Sequence, residues 1–208
     1  MKGIHLITNG KSTKKELAQL RTMHHYFDYI HVREKSKTAA ELMQILDFLA
    51  GIGIPLSKVI INDRVDLAVM KGCTGVQLAY NSLPVTLVKK QFPDLKIGKS
   101  VHSIEEAWKA EKDGADFILY GHIYHSKSKQ GVKPRGIQAL QRVAKSISIP
   151  TIAVGGIHPE QVEEVLGAGA KGLAMISAFW ESPAPLQAAK AYYERFNHWE
   201  EEHFERTL

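Results

Sequence analysis

Residues 121–131 form the segment whose composition is best suited to chemistry. They contain two histidines, two lysines, two serines and a tyrosine between two glycines, and they follow the apolar run 116–120, which is typical of a strand. Such a mixture contributes little to packing, so we interpret residues 124–135 as a lid over a small anionic substrate. His122 stands directly at the strand end, and imidazole exchanges a proton near neutral pH. We therefore predict that His122 is the catalytic residue.

Polar residues or glycine also follow the other apolar runs of the chain. If those runs are parallel strands of a barrel, their carboxyl ends meet at one face and these residues converge. A slip of one residue turns every side chain of a strand to its other face, so the sequence leaves open which of them point into the site. The candidate binding residues are Arg33, Lys35, Asn62, Gln77, Ser100, His102 and Gly121.

Two of these groups have a second interpretation. His31, Arg33 and Lys35 occupy alternate positions, so one face of a strand would present three hydrogen-bond donors. A solvated strand edge is the alternative, but parallel strands are normally buried, which favours a role in the site. Asn62 and Asp63 precede a helical pattern, and we interpret them first as helix caps and second as ligands.

Two further strand ends are candidates for binding phosphate. Gly155 and Gly156 follow one strand, and glycine lets backbone N–H groups approach an anion closely. Ser177 and Ala178 follow the next strand at the predicted start of a short helix, which supplies further donors. Because barrels often bind phosphate at the loops after strands seven and eight, we predict a phosphate site here; a tight turn without ligand is the alternative.

The elements that must position these residues form a repeated pattern of strand followed by helix. Helical spacing appears at Leu42, Ile45, Leu46 and Leu49, and a capping box at Ser103 opens a helix whose buried face we assign to residues 104, 107 and 108. Such alternation specifies a parallel sheet. Eight units predict one (β/α)8 TIM-barrel domain over residues 1–208, with an open doubly wound sheet as the alternative. The predicted strands are 3–8, 27–33, 58–62, 75–78, 96–101, 116–120, 150–154 and 172–176.

Composition narrows the class of protein. The chain has 208 residues, of which 44% are hydrophobic and 24% charged, and an apolar run of the roughly 20 residues that span a bilayer is absent. The single Cys73 excludes an internal disulfide and fits a reducing cytoplasm. The net charge of +5 is scattered, which argues against a nucleic-acid-binding arm and fits attraction of phosphorylated small molecules. We expect a cytoplasmic enzyme without a nucleic-acid or membrane partner.

Six segments together resemble the thiamine phosphate synthase superfamily over most of the chain. The resemblance implies a closed barrel and a thiazole phosphate as the ligand. The matching segments are 31–35 (His-Val-Arg-Glu-Lys), 61–68 (Ile-Asn-Asp-Arg-Val-Asp-Leu-Ala), 75–78 (Gly-Val-Gln-Leu), 98–103 (Gly-Lys-Ser-Val-His-Ser), 121–129 and 153–157 (Ala-Val-Gly-Gly-Ile).

The departures from the synthase pattern are equally informative. The synthase carries an acidic Gly-Gln-Glu-Asp segment whose Asp holds magnesium, whereas residues 79–82 here are Ala-Tyr-Asn-Ser. Magnesium needs hard oxygen ligands, and Asp63 alone is a poor site. The synthase also has proline where His122 stands, and its two loop threonines appear as Ser126 and Ser128. These changes resemble the thiazole tautomerase (TenI) branch.

The branch resemblance implies isomerisation of an ylidene thiazole carboxylate phosphate to its aromatic tautomer. His122 would move the proton, Gly155, Gly156, Ser177 and Ala178 would hold the phosphate, and no metal or other cofactor would be needed. The alternatives are a thiamine phosphate synthase with a degraded magnesium site, and a non-catalytic thiazole-phosphate-binding or regulatory protein. We also expect a homodimer, for which Phe179, Trp180 and Tyr192 are candidate contacts.

Overall fold

A computed structural model describes residues 1–126, 129 and 131–204. Eight parallel strands close into a barrel in sequence order, and the first strand pairs with the eighth. The predicted TIM barrel is therefore confirmed, and the open sheet is excluded. The strands are β1 (Gly3–Ile7), β2 (Tyr29–Val32), β3 (Val59–Asn62), β4 (Gly75–Leu78), β5 (Lys96–Val101), β6 (Phe117–Gly121), β7 (Thr151–Val154) and β8 (Gly172–Met175).

Helices follow the strands and cover the outside of the barrel. The helix after β7 is introduced by a 3-10 turn, and a helix of 20 residues closes the described part of the chain. The helices are α1 (Lys14–Ala18), α2 (Ala39–Gly51), α3 (Val65–Lys71), α4 (Val85–Gln91), α5 (Ile104–Lys112), α6 (Ile137–Ser146), α7 (Val162–Gly167), α8 (Ser177–Trp180) and α9 (Pro185–Phe204). Within the described residues, none of these helices is long and apolar enough to cross a membrane.

Local sequence explains where several helices begin. The hydroxyl oxygens of Thr13 and Thr38 each accept from the backbone N–H three residues later, while the carboxylates of Glu16 and Glu41 accept from the backbone N–H of the cap residue. These capping boxes satisfy N–H groups that the first turn of a helix leaves unpaired. Ser103 caps α5 in the same way by accepting from the N–H of Glu106. The loops that leave β1, β2 and β5 are thus anchored where they enter the next helix.

Strand pairing settles which side chains face the barrel interior. Ile7, Ile60, Phe117 and Leu119 belong to one interior cluster. Side chains two positions further along a strand point to the same face, and laterally paired residues share it. The interior series near the carboxyl ends therefore comprises Arg33, Asn62, Gln77, Ser100, Gly121 and Val154.

A histidine pair lies below this series, inside the barrel. His5 Nδ1 and His31 Nε2 are 2.8 Å apart, both side chains are buried, and Phe117 packs against them. His31 is therefore not a donor at the mouth, which corrects the predicted face of three donors on β2. The Nε2 atom of His31 contacts His5, a neighbour that the spacing of residues along β2 does not reveal.

The first helix, α1, ends at Ala18 and 3-10 turns follow it. Two other predictions about local structure were wrong. Asn62 and Asp63 do not cap α3, whose N-cap is Arg64 without a side-chain bond. Trp108 is 52% exposed, with its indole N–H bonded to the Ser146 carbonyl at 3.0 Å.

Three aromatic residues were the candidate dimer contacts. Phe179 and Tyr192 are each only 1% exposed, and Trp180 donates its indole N–H to the Ile7 carbonyl at 2.8 Å. These aromatic side chains pack within the chain and offer little surface to a second copy. The expected homodimer stays a prediction.

Candidate functional site

A cavity of about 320 Å³ opens between the loops after β7 and β8. We call it the glycine-loop cavity. All four predicted phosphate-binding residues lie on its wall, namely Gly155, Gly156, Ser177 and Ala178. His125 and Ser126, from the segment after β6, contribute to the same wall. The structure thus brings together residues from three consecutive strand ends, with apolar walls and backbone groups at the site.

Two glycines make this cavity possible. Gly155 and Gly156 have φ of +101° and +68°, a left-handed region that side-chain-bearing residues rarely adopt. A Cβ on Gly155 would lie 2.3 Å from the Cβ of His122, and one on Gly156 would lie 2.3 Å from the His125 carbonyl. The backbone after β7 therefore packs directly against the backbone after β6. This contact sets the segment that carries His122 beside the glycine-loop cavity.

A second cavity of about 250 Å³ lies across the mouth, at the ends of β2, β3 and β4. We call it the charged cavity. Its wall carries the cationic side chains Lys35, Lys37 and Arg64, the carboxylates of Glu34 and Asp63, and the amides of Asn62 and Asn81. Arg64 is paired with the carboxylate of Asp66, so Lys35 and Lys37 are the cationic groups of this wall that can attract an anion. Of the predicted binding residues, Lys35 and Asn62 lie here.

Two acidic residues of the charged cavity have uncommon features: Asp63 in its backbone conformation and Glu34 in its burial. Asp63 has a φ of +65°, which is uncommon for a residue with a side chain, and its N–H donates to the Gln77 carbonyl at 2.9 Å. Glu34 is 3% exposed and accepts from the Ser12 N–H at 3.2 Å through Oε2. Its Oε1 has no partner among the described residues.

Sequence reasoning missed Glu34. Glu34 stands between Arg33 and Lys35, which were both predicted to bind substrate. An acidic residue inside this cationic segment is the feature of the sequence that could have identified it. Arg33 itself does not line either cavity, and its backbone N–H donates to Thr8 Oγ1 at 2.8 Å.

His122 lies at the exit of β6 and is 9% exposed. Its Nε2 is 3.2 Å from the Val132 carbonyl oxygen. The ring does not line either cavity, but its Cβ adjoins Gly155, which does. Ser128, which was considered together with Ser126, lies outside the described residues, as do residues 127, 130 and 205–208.

The remaining predicted residues form a polar ring around the end of β6. The Gly121 carbonyl lies 3.3 Å from His102 Nδ1 and accepts from Arg135 Nε at 3.0 Å. Gln77 Nε2 donates to Ser100 Oγ at 3.1 Å across β4 and β5. These contacts join neighbouring strand ends to one another. Arg135 was not among the predicted binding residues.

The side chains at the mouth do not fit a divalent cation well. The segment 79–82 contributes Ala79 and Asn81 to the charged cavity, and neither is a carboxylate. Lys35 and Lys37 place positive charge near Asp63, and Arg64 is paired with Asp66, whereas magnesium requires several hard anionic oxygens. Among the described residues, no group of three or more histidine, cysteine, aspartate or glutamate side chains could hold a metal ion.

Comparison with known proteins places this site in a family. Residues 4–179 match the family described as thiamine monophosphate synthase (TMP-TENI). The thiamine-phosphate synthase of Chlorobium luteolum is 38% identical over 169 residues, covering 78% of each chain. That of Chlorobium phaeovibrioides is 46% identical over 134 residues, and the match spans 64% of each chain.

A solved structure gives the same result. Thiamine phosphate pyrophosphorylase from Pyrococcus furiosus superposes with a TM-score of 0.80 at 27% identity, over 94% of this chain and 96% of that one. A 3-hexulose-6-phosphate synthase superposes with a TM-score of 0.73 at 16% identity, which shows the shared barrel only. The family match covers most of the barrel, including every strand end described above. The chain therefore belongs to the thiamine monophosphate synthase family.

Proposed function

We propose that this protein is a thiazole tautomerase, the activity of the TenI branch. It would convert the ylidene thiazole carboxylate phosphate into the aromatic thiazole carboxylate phosphate. The observation that carries the proposal is the position of His122, a nearly buried imidazole whose Cβ packs against Gly155 of the glycine-loop cavity. A phosphate held by that loop would place the attached ring close to a proton-transfer group.

The reaction requires one proton to leave ring carbon C2 and one to reach the exocyclic carbon. Neutral His122 would accept the C2 proton, the electron pair would move through the ring, and the imidazolium would return a proton to the exocyclic carbon. An imidazole can both accept and return a proton, so a single group can serve in both directions. Formation of the aromatic ring supplies the driving force.

The charged cavity supports the same assignment because the substrate carries two anionic groups. The phosphate would lie on Gly155, Gly156, Ser177 and Ala178. The carboxylate would be drawn toward Lys35 and Asn62 on the opposite side of the mouth. Arg33, Gln77, Ser100, His102 and Gly121 line the rim between them and would contact the ring.

The test is aromatisation of freshly prepared tautomer, followed by ultraviolet absorbance, with no metal added. We expect rapid conversion by the wild type and a loss of roughly 10²-fold or more in His122→Ala, the scale of general acid–base catalysis. His25→Ala is the matched control, since it removes an exposed histidine far from the mouth. Equal rates for both variants would remove His122 from its role, and no conversion by the wild type would refute the proposal.

Thiamine phosphate synthase activity is the second candidate. It is favoured by the names of the relatives, which are 38–46% identical thiamine-phosphate synthases, and by Asp63 at the edge of the charged cavity. Incubation with pyrimidine pyrophosphate, thiazole phosphate and magnesium tests it. Formation of thiamine phosphate at a rate that Asp63→Asn abolishes would establish this activity in place of, or beside, the tautomerase.

A further inference from the structure

Residues 131–136 return from the segment after β6 and pair with its start. The Arg135 N–H donates to the His122 carbonyl at 3.0 Å, and the Gly136 N–H donates to the Ile123 carbonyl at 3.1 Å. This return brings the Val132 carbonyl to 3.2 Å from His122 Nε2. The candidate catalytic ring is therefore contacted by the backbone of its own loop.

The chemistry of this contact determines where the ring carries its proton. A backbone carbonyl oxygen can only accept a hydrogen bond, so Nε2 must be the donor. In a neutral imidazole one nitrogen carries hydrogen and the other carries a lone pair. With hydrogen on Nε2, the lone pair is on Nδ1, and Nδ1 is the atom that can accept a proton.

Arg135 holds residues 131–136 against the end of β6 through both its backbone and its side chain. Besides its backbone bond, its Nε donates to the Gly121 carbonyl at 3.0 Å, on the residue before His122. Its guanidinium also lies over the Tyr120 ring, 5.9 Å from the centroid. The Arg135 side chain thus connects residues 131–136, which include Val132, to the end of β6. His122 follows directly after that strand end.

We propose that Arg135 is a positioning residue that holds the Val132 carbonyl against His122, fixes the Nε2–H tautomer and thereby assigns Nδ1 as the base. The catalytic consequence rests on the proposed tautomerase function. The C2–H bond of the substrate breaks, its proton passes to Nδ1, and the imidazolium keeps its Nε2–H bond to Val132. Nδ1 then releases a proton to the exocyclic carbon, which restores the starting tautomer.

Nuclear magnetic resonance of protein labelled with ¹⁵N-histidine tests the tautomer without any substrate. In a neutral imidazole the two nitrogens differ in ¹⁵N shift, so the spectra are recorded in alkaline buffer. We expect the hydrogen of His122 on Nε2, with an N–H proton signal protected from exchange; His122→Gln assigns the resonances. A neutral ring with hydrogen on Nδ1 would overturn the proposal.

Variants of Arg135 test whether this residue holds the Val132 carbonyl against His122. Arg135→Ala should lose the protected Nε2–H signal and lower kcat of aromatisation about 10-fold to 100-fold, the range that misplacement of a catalytic group produces. KM should change little, because Arg135 does not line the two cavities. Arg135→Lys can still donate to the Gly121 carbonyl, so it should restore most of the protected Nε2–H signal and most of kcat. Thermal unfolding confirms that each variant is folded.

Arg142→Ala is the matched control, since it removes an exposed arginine from the helix that follows. It should leave the signal and kcat unchanged. An Arg135→Ala variant that is folded, retains the protected signal and retains kcat would overturn the role of Arg135. If the wild type converts no tautomer, the tautomerase proposal fails, while the resonance of His122 still decides whether Arg135 and Val132 fix its tautomer.

Discussion

The two cavities at the barrel mouth are built from different materials. The glycine-loop cavity is formed by backbone in left-handed conformation and by small residues, with the largest contribution from the loops after β7 and β8. The charged cavity is formed by long ionisable side chains after β2 and β3. One can bind an anion through fixed N–H groups, and the other through charges on more flexible stems.

This difference predicts different responses to substitution and to solvent. A cavity made of backbone depends on close packing, so a single added carbon should disturb it strongly. A cavity made of surface charges tolerates loss of one side chain, and its interactions are screened by salt. Below both lies the buried pair His5 and His31, whose protonation should affect the whole barrel instead of either cavity alone.

The largest expected effect is that of Gly155→Ala. The new Cβ would lie 2.3 Å from the Cβ of His122 at a φ of +101°, so strain of about 1–3 kcal/mol is added to a clash between two backbones. We expect a lower free energy of unfolding in urea and loss of measurable thiazole phosphate binding by calorimetry. Gly53→Ala is the control, since its φ of +90° is similar but no atom lies within 4 Å of the new carbon. Equal effects of both substitutions would show that close packing against His122 is unimportant.

Acid should destabilise the barrel as a whole. Burial lowers the pKa of His31 from 6.5 to about 3, and burial, together with the neighbouring His31, lowers the pKa of His5 well below its usual value. Between these pKa values the unfolded chain binds more protons than the folded one, so stability is complete above about pH 6.5 and falls as pH decreases. For His31 the linkage relation gives a loss of about 2 kcal/mol at pH 5, and the lowered pKa of His5 adds a loss in the same direction.

Urea unfolding at pH 7.5 and at pH 5 measures this loss. The carboxyl of Asp116, whose pKa is lowered by its hydrogen bonds to Ile97, Lys89 and Lys96, titrates below this range and does not interfere. A double variant with leucine at positions 5 and 31 should lose most of the slope between the two pH values. A slope that persists in that variant would place the acid sensitivity elsewhere.

The smallest expected effect is that of Lys35→Ala in the charged cavity. Lys35 is exposed, so its attraction for an anion is partly screened, and we expect about tenfold weaker binding of the carboxylated thiazole phosphate, or ~1.4 kcal/mol. Raising the salt concentration should shrink the difference between wild type and variant. Lys15→Ala on α1 removes the same charge outside the cavity and should change affinity little. A salt-independent loss would contradict the electrostatic role.

The sequence was a good guide to the barrel and to the candidates at its mouth. Alternating apolar runs predicted all eight strands to within about two residues at most ends, because hydrophobic periodicity reports directly on burial. The cap at Ser103 was also predictable, since a cap bonds only the first turn of its own helix. Trp108 shows the limit, because its position on the helical wheel was right for burial while Ser146, on a neighbouring element, holds its indole at the surface.

The candidate site also contains residues that the sequence identified and features that only the structure reveals. Gly155, Gly156 and His122 could be selected from residue type and from their place at strand ends, because parallel strands bring those ends together. The pairing of His31 with His5, the φ of Asp63 and the unpartnered oxygen of Glu34 depend on contacts between residues distant in the chain. Propensity and spacing describe neighbours along the chain and are silent about neighbours across it.

The sequence by itself determined the architecture, the family resemblance and the residues available for chemistry. Only the tertiary structure decided that the glycine-loop cavity and the charged cavity are separate, that His31 faces inward to His5, and that Val132 contacts His122 while Arg135 contacts the end of β6. The physical reason is that strand register and loop return are set by packing of the closed barrel, in which each side chain's direction depends on all its lateral partners.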